Sequence, residues 1–124
     1  MPTLRRFTVV PRLPAPLERL RDIAFNLWWA WSPLPRELFV RIDPVLWEEV
    51  HGNPIELLSR VKQERIDELA KDDAFLNHLE AAHAALQTYL SREGWFAKAF
   101  PKAAGARIAY FSMEYGLHES LPVY

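Results

Sequence analysis

Residues Asp43–Glu56, with the sequence DPVLWEEVHGNPIE, contain two helix starts separated by one helix stop. The starts are Asp43-Pro44 and Asn53-Pro54, in which an N-capping residue precedes a proline suited to the first helical position. Between them, His51-Gly52 ends the first helix, because glycine readily adopts the backbone conformation of a helix terminus. Glu56 stands three residues after Asn53, as in a capping box. The stretch therefore predicts short helices joined by very short connections.

Similar signals extend in both directions along the chain. Upstream, a helix is expected over residues 16–31, and a shorter one over 36–42. Downstream, helices are expected over 63–71 and, after a cap at Asp72 or Asp73, to about Arg92. The apolar stripe of the first helix would be Leu17, Leu20, Ala24, Leu27 and Trp31, and that of the last Phe75, Leu79, Ala82, Leu86, Tyr89 and Leu90.

The pattern changes after Gly94. Residues 95–106 contain Pro101 and Gly105 and are interpreted as a loop. Arg107–Phe111 is a short β-prone run, typical of a strand buried on both faces of a parallel sheet. A helical unit has no obvious use for one such strand, so we expect its sheet partners to belong to a part of the protein beyond this chain.

The composition excludes several classes of function. The 124 residues carry a net charge of −1, which gives no electrostatic reason to expect a nucleic acid or an anionic membrane as partner. No apolar run is long enough to span a membrane. There is no cysteine, which excludes disulfides and thiolate chemistry and suits a cytoplasmic protein.

Two groups of residues are candidates for binding. Glu114, His118 and Glu119 follow the predicted strand, and ligands of open α/β sheets bind just past the carboxyl ends of strands. The alternative is a solvated loop. Trp28, Trp29 and Trp31 form the second group, as a platform for sugar rings or, alternatively, as part of a helical core or interface.

His78 and His83 flank Glu80 in a sequence reminiscent of a zinc-protease motif. Their spacing of five residues turns the two imidazoles about 140° apart on a helix, whereas that motif needs a spacing of four. They are therefore expected to be surface or boundary histidines, with no metal.

The chain resembles the bacterial and archaeal α-glucan (glycogen, maltodextrin) phosphorylases. The stretch RIAYFSMEYGLHESLPVY, residues 107–124, is similar to the opening strand and loop of their catalytic domain. The stretches RDIAFNLWWAW, residues 21–31, and RIDPVLW, residues 41–47, are similar to the helical domain of unknown function that precedes it. Lys62 departs from the pattern, where a helix-capping serine is expected.

The resemblance implies a mainly α chain: a multi-helix domain over residues 1–105, then residues 106–124 as the truncated start of a Rossmann-like catalytic domain. It implies a parent enzyme that uses inorganic phosphate and pyridoxal phosphate to release glucose 1-phosphate from α-1,4-glucans. Glu114, His118 and Glu119 would lie in the cleft loop. The cofactor-bearing lysine and phosphate-binding groups would lie downstream, so the isolated chain is expected to be inactive and to bind no cofactor.

The role of the helical domain itself stays open. One hypothesis is a non-catalytic glucan-binding module that uses the tryptophans. Another is a structural role, either against the remainder of the catalytic domain or as a contact in a homo-oligomer.

Overall fold

A computed structural model describes residues 10–112, 116 and 118–120 of the chain. Within these residues there are seven α-helices and no strand. The helices are α1 Arg19–Ala24, α2 Pro33–Ile42, α3 Pro44–Glu49, α4 Pro54–Arg60, α5 Gln63–Leu69, α6 Asp73–Ser91 and α7 Trp95–Ala99. Short 3-10 turns cover Ala15–Leu17, Leu27–Ala30 and Pro101–Ala103. The mainly helical class predicted from the sequence is confirmed.

The long helix α6 is the element on which the others assemble. Helices α1 and α2 both pack against it, α3 and α5 pack against α2, and α4 joins α3 to α1. The predicted stripe of α6 faces this core at its fully buried positions, Phe75, Leu79, Ala82 and Leu86. Tyr89 is half-buried, and Leu90 is exposed.

The predicted N-caps are confirmed as side-chain hydrogen bonds. The Asp43 carboxylate accepts from the Leu46 amide at 2.9 Å, and the Asn53 side chain accepts from the Ile55 and Glu56 amides, both at 3.1 Å. Asp72 is the cap of α6. Lys62 makes no capping hydrogen bond at the start of α5, as expected for the residue that departs from the pattern.

Polar side chains tie the helices together at their edges. The Arg65 guanidinium of α5 donates to the carbonyl oxygens of Ile42 and Arg41, which end α2. Because these carbonyls have no partner within their own helix, Arg65 supplies the missing donors. Arg19 of α1 forms an ion pair with Glu80 of α6.

The expected continuous helix over residues 16–31 is wrong. Helix α1 ends at Ala24, and Asn26 takes an extended backbone (φ −110°, ψ 117°). Its side chain accepts from the Trp28 amide at 3.0 Å, so Asn26 caps a new 3-10 turn instead of continuing the helix. This break rotates Leu27 and Trp31 out of the stripe predicted for them, and both are exposed.

One expectation for the C-terminal part also needs correction, and another is not shown. The interval 95–106, interpreted as a loop, contains α7 and a 3-10 turn, and Gly94 is the N-cap of α7. Residues 107–111 form no strand in the described chain and are exposed. A strand needs a neighbouring strand to pair with its backbone groups, so the predicted strand would require further sheet.

Within the part of the chain that the structure describes, no helix combines the length and apolar character needed to cross a membrane.

Candidate functional site

The first wall of the candidate site is the 3-10 turn Leu27–Ala30. The Asn26 cap fixes the start of this turn, and the break before it points Trp28 and Trp29 into the protein. Trp28 stacks on Tyr89 of α6, with ring centroids 6.1 Å apart. Trp29 is only 3% exposed. The turn therefore presents a rigid indole to whatever packs against this corner.

The second wall is the corner between α3 and α4. His51 and Gly52 both adopt positive φ, at 50° and 68°, and the Gly52 amide donates to the Trp47 carbonyl at 2.9 Å. With the His51 amide donating to the Glu48 carbonyl at 3.0 Å, this ends α3 in a Schellman motif that has His51, not glycine, at the first left-handed position. Trp47 stacks on Phe39 of α2 with nearly parallel rings, 5.8 Å between centroids.

His118 lies against both walls. Its ring meets Trp29 in an edge-to-face arrangement, with centroids 4.6 Å apart and planes at 74°. A Cβ placed on Gly52 would come within 3.2 Å of His118 Cε1 and 3.2 Å of the Trp47 ring. The site therefore needs glycine at position 52 twice, for its positive φ and for the close approach of the imidazole.

A short turn fixes the orientation of the His118 ring. The Ser120 amide donates to His118 Nδ1 at 3.2 Å, and the Ser120 hydroxyl lies 2.9 Å from the same nitrogen. Because the amide N–H donates to it, Nδ1 is an acceptor in this turn. Glu119, between these two residues, is exposed.

The structure thus brings together two predicted site residues, Trp29 and His118, that the sequence assigned to different groups. It carries Glu119 on the same turn. Glu114 lies outside the described residues. Of the three tryptophans predicted as a sugar platform, Trp28 (8% exposed) and Trp29 are buried, and Trp31 is 58% exposed, so among these three Trp31 alone presents an open indole face.

His78 and His83 do not face one another in a shared site. Arg41 donates to His78 Nδ1 at 3.1 Å, which leaves Nε2 to donate to the Leu34 carbonyl at 3.0 Å. His83 lies 3.3 Å from the Asp22 carboxylate. In the described part of the chain no group of three or more histidine and carboxylate side chains could hold a metal ion.

Sequence reasoning missed Trp47, Gly52 and Ser120 as parts of the site. The Gly52 signal was visible but was interpreted only as a helix stop. A glycine just after a helix end also permits another group to approach the backbone closely, and this is the signal that could have indicated the corner.

Residues 13–121 match the model of a family described as "Protein of unknown function (DUF3417)". Among curated proteins, the glycogen phosphorylase of Mycobacterium tuberculosis is 43% identical over 129 residues, covering 100% of this chain and 15% of the relative. No solved structure matches the chain.

Two further relatives come from distant organisms. The glycogen phosphorylase of Aquifex aeolicus is 39% identical over 107 residues, covering 86% of this chain and 15% of the relative. The maltodextrin phosphorylase of Thermococcus litoralis is 40% identical over 114 residues, covering 91% of this chain and 14% of the relative. The chain therefore spans about one seventh of the length of the curated relatives it matches.

Proposed function

Because this chain belongs to the DUF3417 family and resembles the N-terminal part of the α-glucan phosphorylases, we propose that it acts within such an enzyme. The parent activity is phosphorolysis of terminal α-1,4-glucosidic bonds, which releases glucose 1-phosphate. The observation that carries this proposal is 43% identity to a glycogen phosphorylase along the whole chain, including both the helical domain and the segment after it.

In this proposal, residues 107–111 are the first strand of a Rossmann-like domain. Ile108 and Phe111 are among the most exposed large apolar side chains of the described chain. An apolar run this exposed favours burial against further protein, since large exposed apolar patches mark interaction surfaces. The proposed occupant of that surface is the remainder of the catalytic domain.

The pyridoxal phosphate of the parent enzyme belongs to that remainder. A Schiff base needs a lysine in the cleft, and all four lysines of this chain, Lys62, Lys71, Lys98 and Lys102, lie exposed on the helical domain. The described residues therefore do not fit the cofactor. This chain would contribute the cleft loop with Glu114, His118 and Glu119, and the carboxylates of the two glutamates can accept hydrogen bonds from sugar hydroxyls.

The test is to express the longer reading frame that contains this chain and to assay it with maltoheptaose and inorganic phosphate. We expect phosphate-dependent release of glucose 1-phosphate, and no turnover by the 124-residue chain alone. Absence of phosphorolysis by the longer polypeptide, folded and supplied with pyridoxal phosphate, would contradict the proposal.

The exposure of Trp31 supports a second candidate function, a non-catalytic glucan contact. Apolar faces of sugars stack on open aromatic rings, and Trp31 offers one. Maltooligosaccharide at millimolar concentration would then change the tryptophan fluorescence of the chain, and a Trp31→Ala variant would lose the response. An unchanged fluorescence spectrum of the unmutated 124-residue chain would count against this function.

A further inference from the structure

The turn His118–Ser120 is held on the helical domain by contacts from elements far apart in the chain. Trp29, on the 3-10 turn after α1, packs against the His118 ring. The corner after α3 provides Gly52, whose missing side chain makes room for the imidazole. Two separate elements therefore define the place of one side chain.

The His118 ring is also restrained from within the turn. The hydroxyl and the amide of Ser120 both lie within hydrogen-bonding distance of Nδ1, at 2.9 Å and 3.2 Å. The His118 ring packs against Trp29, and its Nδ1 atom binds Ser120. His118 therefore connects the helical domain to the backbone of the turn. Glu119 lies on that backbone, with its side chain exposed.

We propose that Trp29 is a positioning residue of the phosphorylase reaction: through His118 it holds the cleft turn, and with it the Glu119 carboxylate, in place for the glucan. This inference rests on the proposed function, which assigns the turn to the active-site cleft. The helical domain would then have a role as the rigid support of a loop that otherwise packs only on the catalytic domain. Groups placed near the reacting bond act only when they are held in position.

A double-mutant cycle in the longer phosphorylase polypeptide tests the inference. The variants are Trp29→Phe, His118→Asn and their combination, assayed for kcat/KM with maltoheptaose. Asparagine keeps an acceptor for the Ser120 amide but removes the ring, and phenylalanine at position 29 keeps a buried aromatic while shrinking the contact. We expect each single variant to lower kcat/KM, by about tenfold for His118→Asn, and the double variant to lose no more than His118→Asn.

The matched control is Trp28→Phe, which alters the adjacent buried indole. Trp28 stacks on Tyr89 and not on His118, so its effect should add to that of His118→Asn. Melting temperatures of all variants separate a positioning effect from unfolding, and kcat/KM is compared among variants that remain folded at the assay temperature.

The outcomes distinguish this inference from the proposed function. If the unmutated polypeptide lacks phosphorolysis, the proposed function fails and the inference fails with it. If it is active but the Trp29→Phe and His118→Asn losses simply add, His118 acts without Trp29 and only the inference is overturned. Wild-type kcat/KM in His118→Asn would overturn it as well.

Discussion

Trp29 and His118 meet edge to face, with ring centroids 4.6 Å apart, although one follows the first helix and the other lies near the end of the chain. Aromatic pairs in this geometry contribute about 0.5–1.5 kcal/mol beyond the area they bury. A free energy of this size can hold a short turn in place. It is also small enough that the residues around the contact decide whether the contact forms. Those surroundings include Gly52, whose lack of a side chain leaves space for the imidazole.

Replacing Gly52 by alanine should be destabilising. The positive φ of 68° costs a residue with a Cβ about 1–2 kcal/mol, and the new Cβ would crowd both His118 and Trp47 at 3.2 Å. Denaturant unfolding of Gly52→Ala measures the loss. Gly105→Ala is the matched control, because its Cβ would meet nothing within 4 Å, and it should change stability by less than about 0.5 kcal/mol. Equal effects of the two substitutions would contradict the account.

Phe75 should be one of the most costly positions to truncate. It is fully buried in the core, on the face of α6 that packs against α1 and α2. Phe75→Ala is expected to lower the free energy of unfolding by about 3–5 kcal/mol, through lost burial and the cavity left behind. Leu90→Ala, on the same helix but 54% exposed, should stay within about 0.5 kcal/mol. A small loss at Phe75 would argue against the described packing of α6.

The helix caps offer a paired test in opposite directions. Asp43→Ala removes the hydrogen bond to the Leu46 amide and should destabilise the chain by roughly 1 kcal/mol. Lys62→Ser introduces a capping hydroxyl where α5 has none and should stabilise it by about 0.5–1 kcal/mol. Thermal unfolding checks both. A loss of stability in Lys62→Ser would contradict this prediction, because it would show that the lysine side chain stabilises the start of α5.

His78 should stabilise the packing of α6 against α2. Its two ring nitrogens bind Arg41 and the Leu34 carbonyl, so His78→Ala leaves both without this partner and should cost about 1–2 kcal/mol. His51→Asn is a suitable control, since His51 is exposed and asparagine tolerates its positive φ. If His78→Ala unfolds at the same denaturant concentration as the control, the two hydrogen bonds of His78 do not stabilise the chain.

Local signals account for the parts of the fold that were predicted from the sequence. The caps at Asp43, Asn53 and Asp72 act within three residues, and the stripe of α6 follows from one helical period. The prediction failed at Asn26, where a side chain competed with the helix for a backbone amide. There the apolar pattern continued past the residue that broke the helix.

The candidate site was predicted only in pieces. His118 and Trp29 were each singled out, but for different chemistry, because no sequence period relates residues so far apart. Their contact depends on the break at Asn26 and on the open corner at Gly52, two local features that only the packing of the helices brings together. The predicted cleft role of Glu114 stays a prediction.

The contact between Trp29 and His118 can be measured directly by nuclear magnetic resonance on the 124-residue chain. Nuclear Overhauser effects between the His118 ring protons and the Trp29 indole are predicted, and they should vanish in His118→Asn while the dispersed signals of the helical core persist. If the His118 ring protons instead keep the chemical shifts of an unstructured peptide and show no cross-peak to Trp29, the turn does not dock on the helical domain and the account is contradicted.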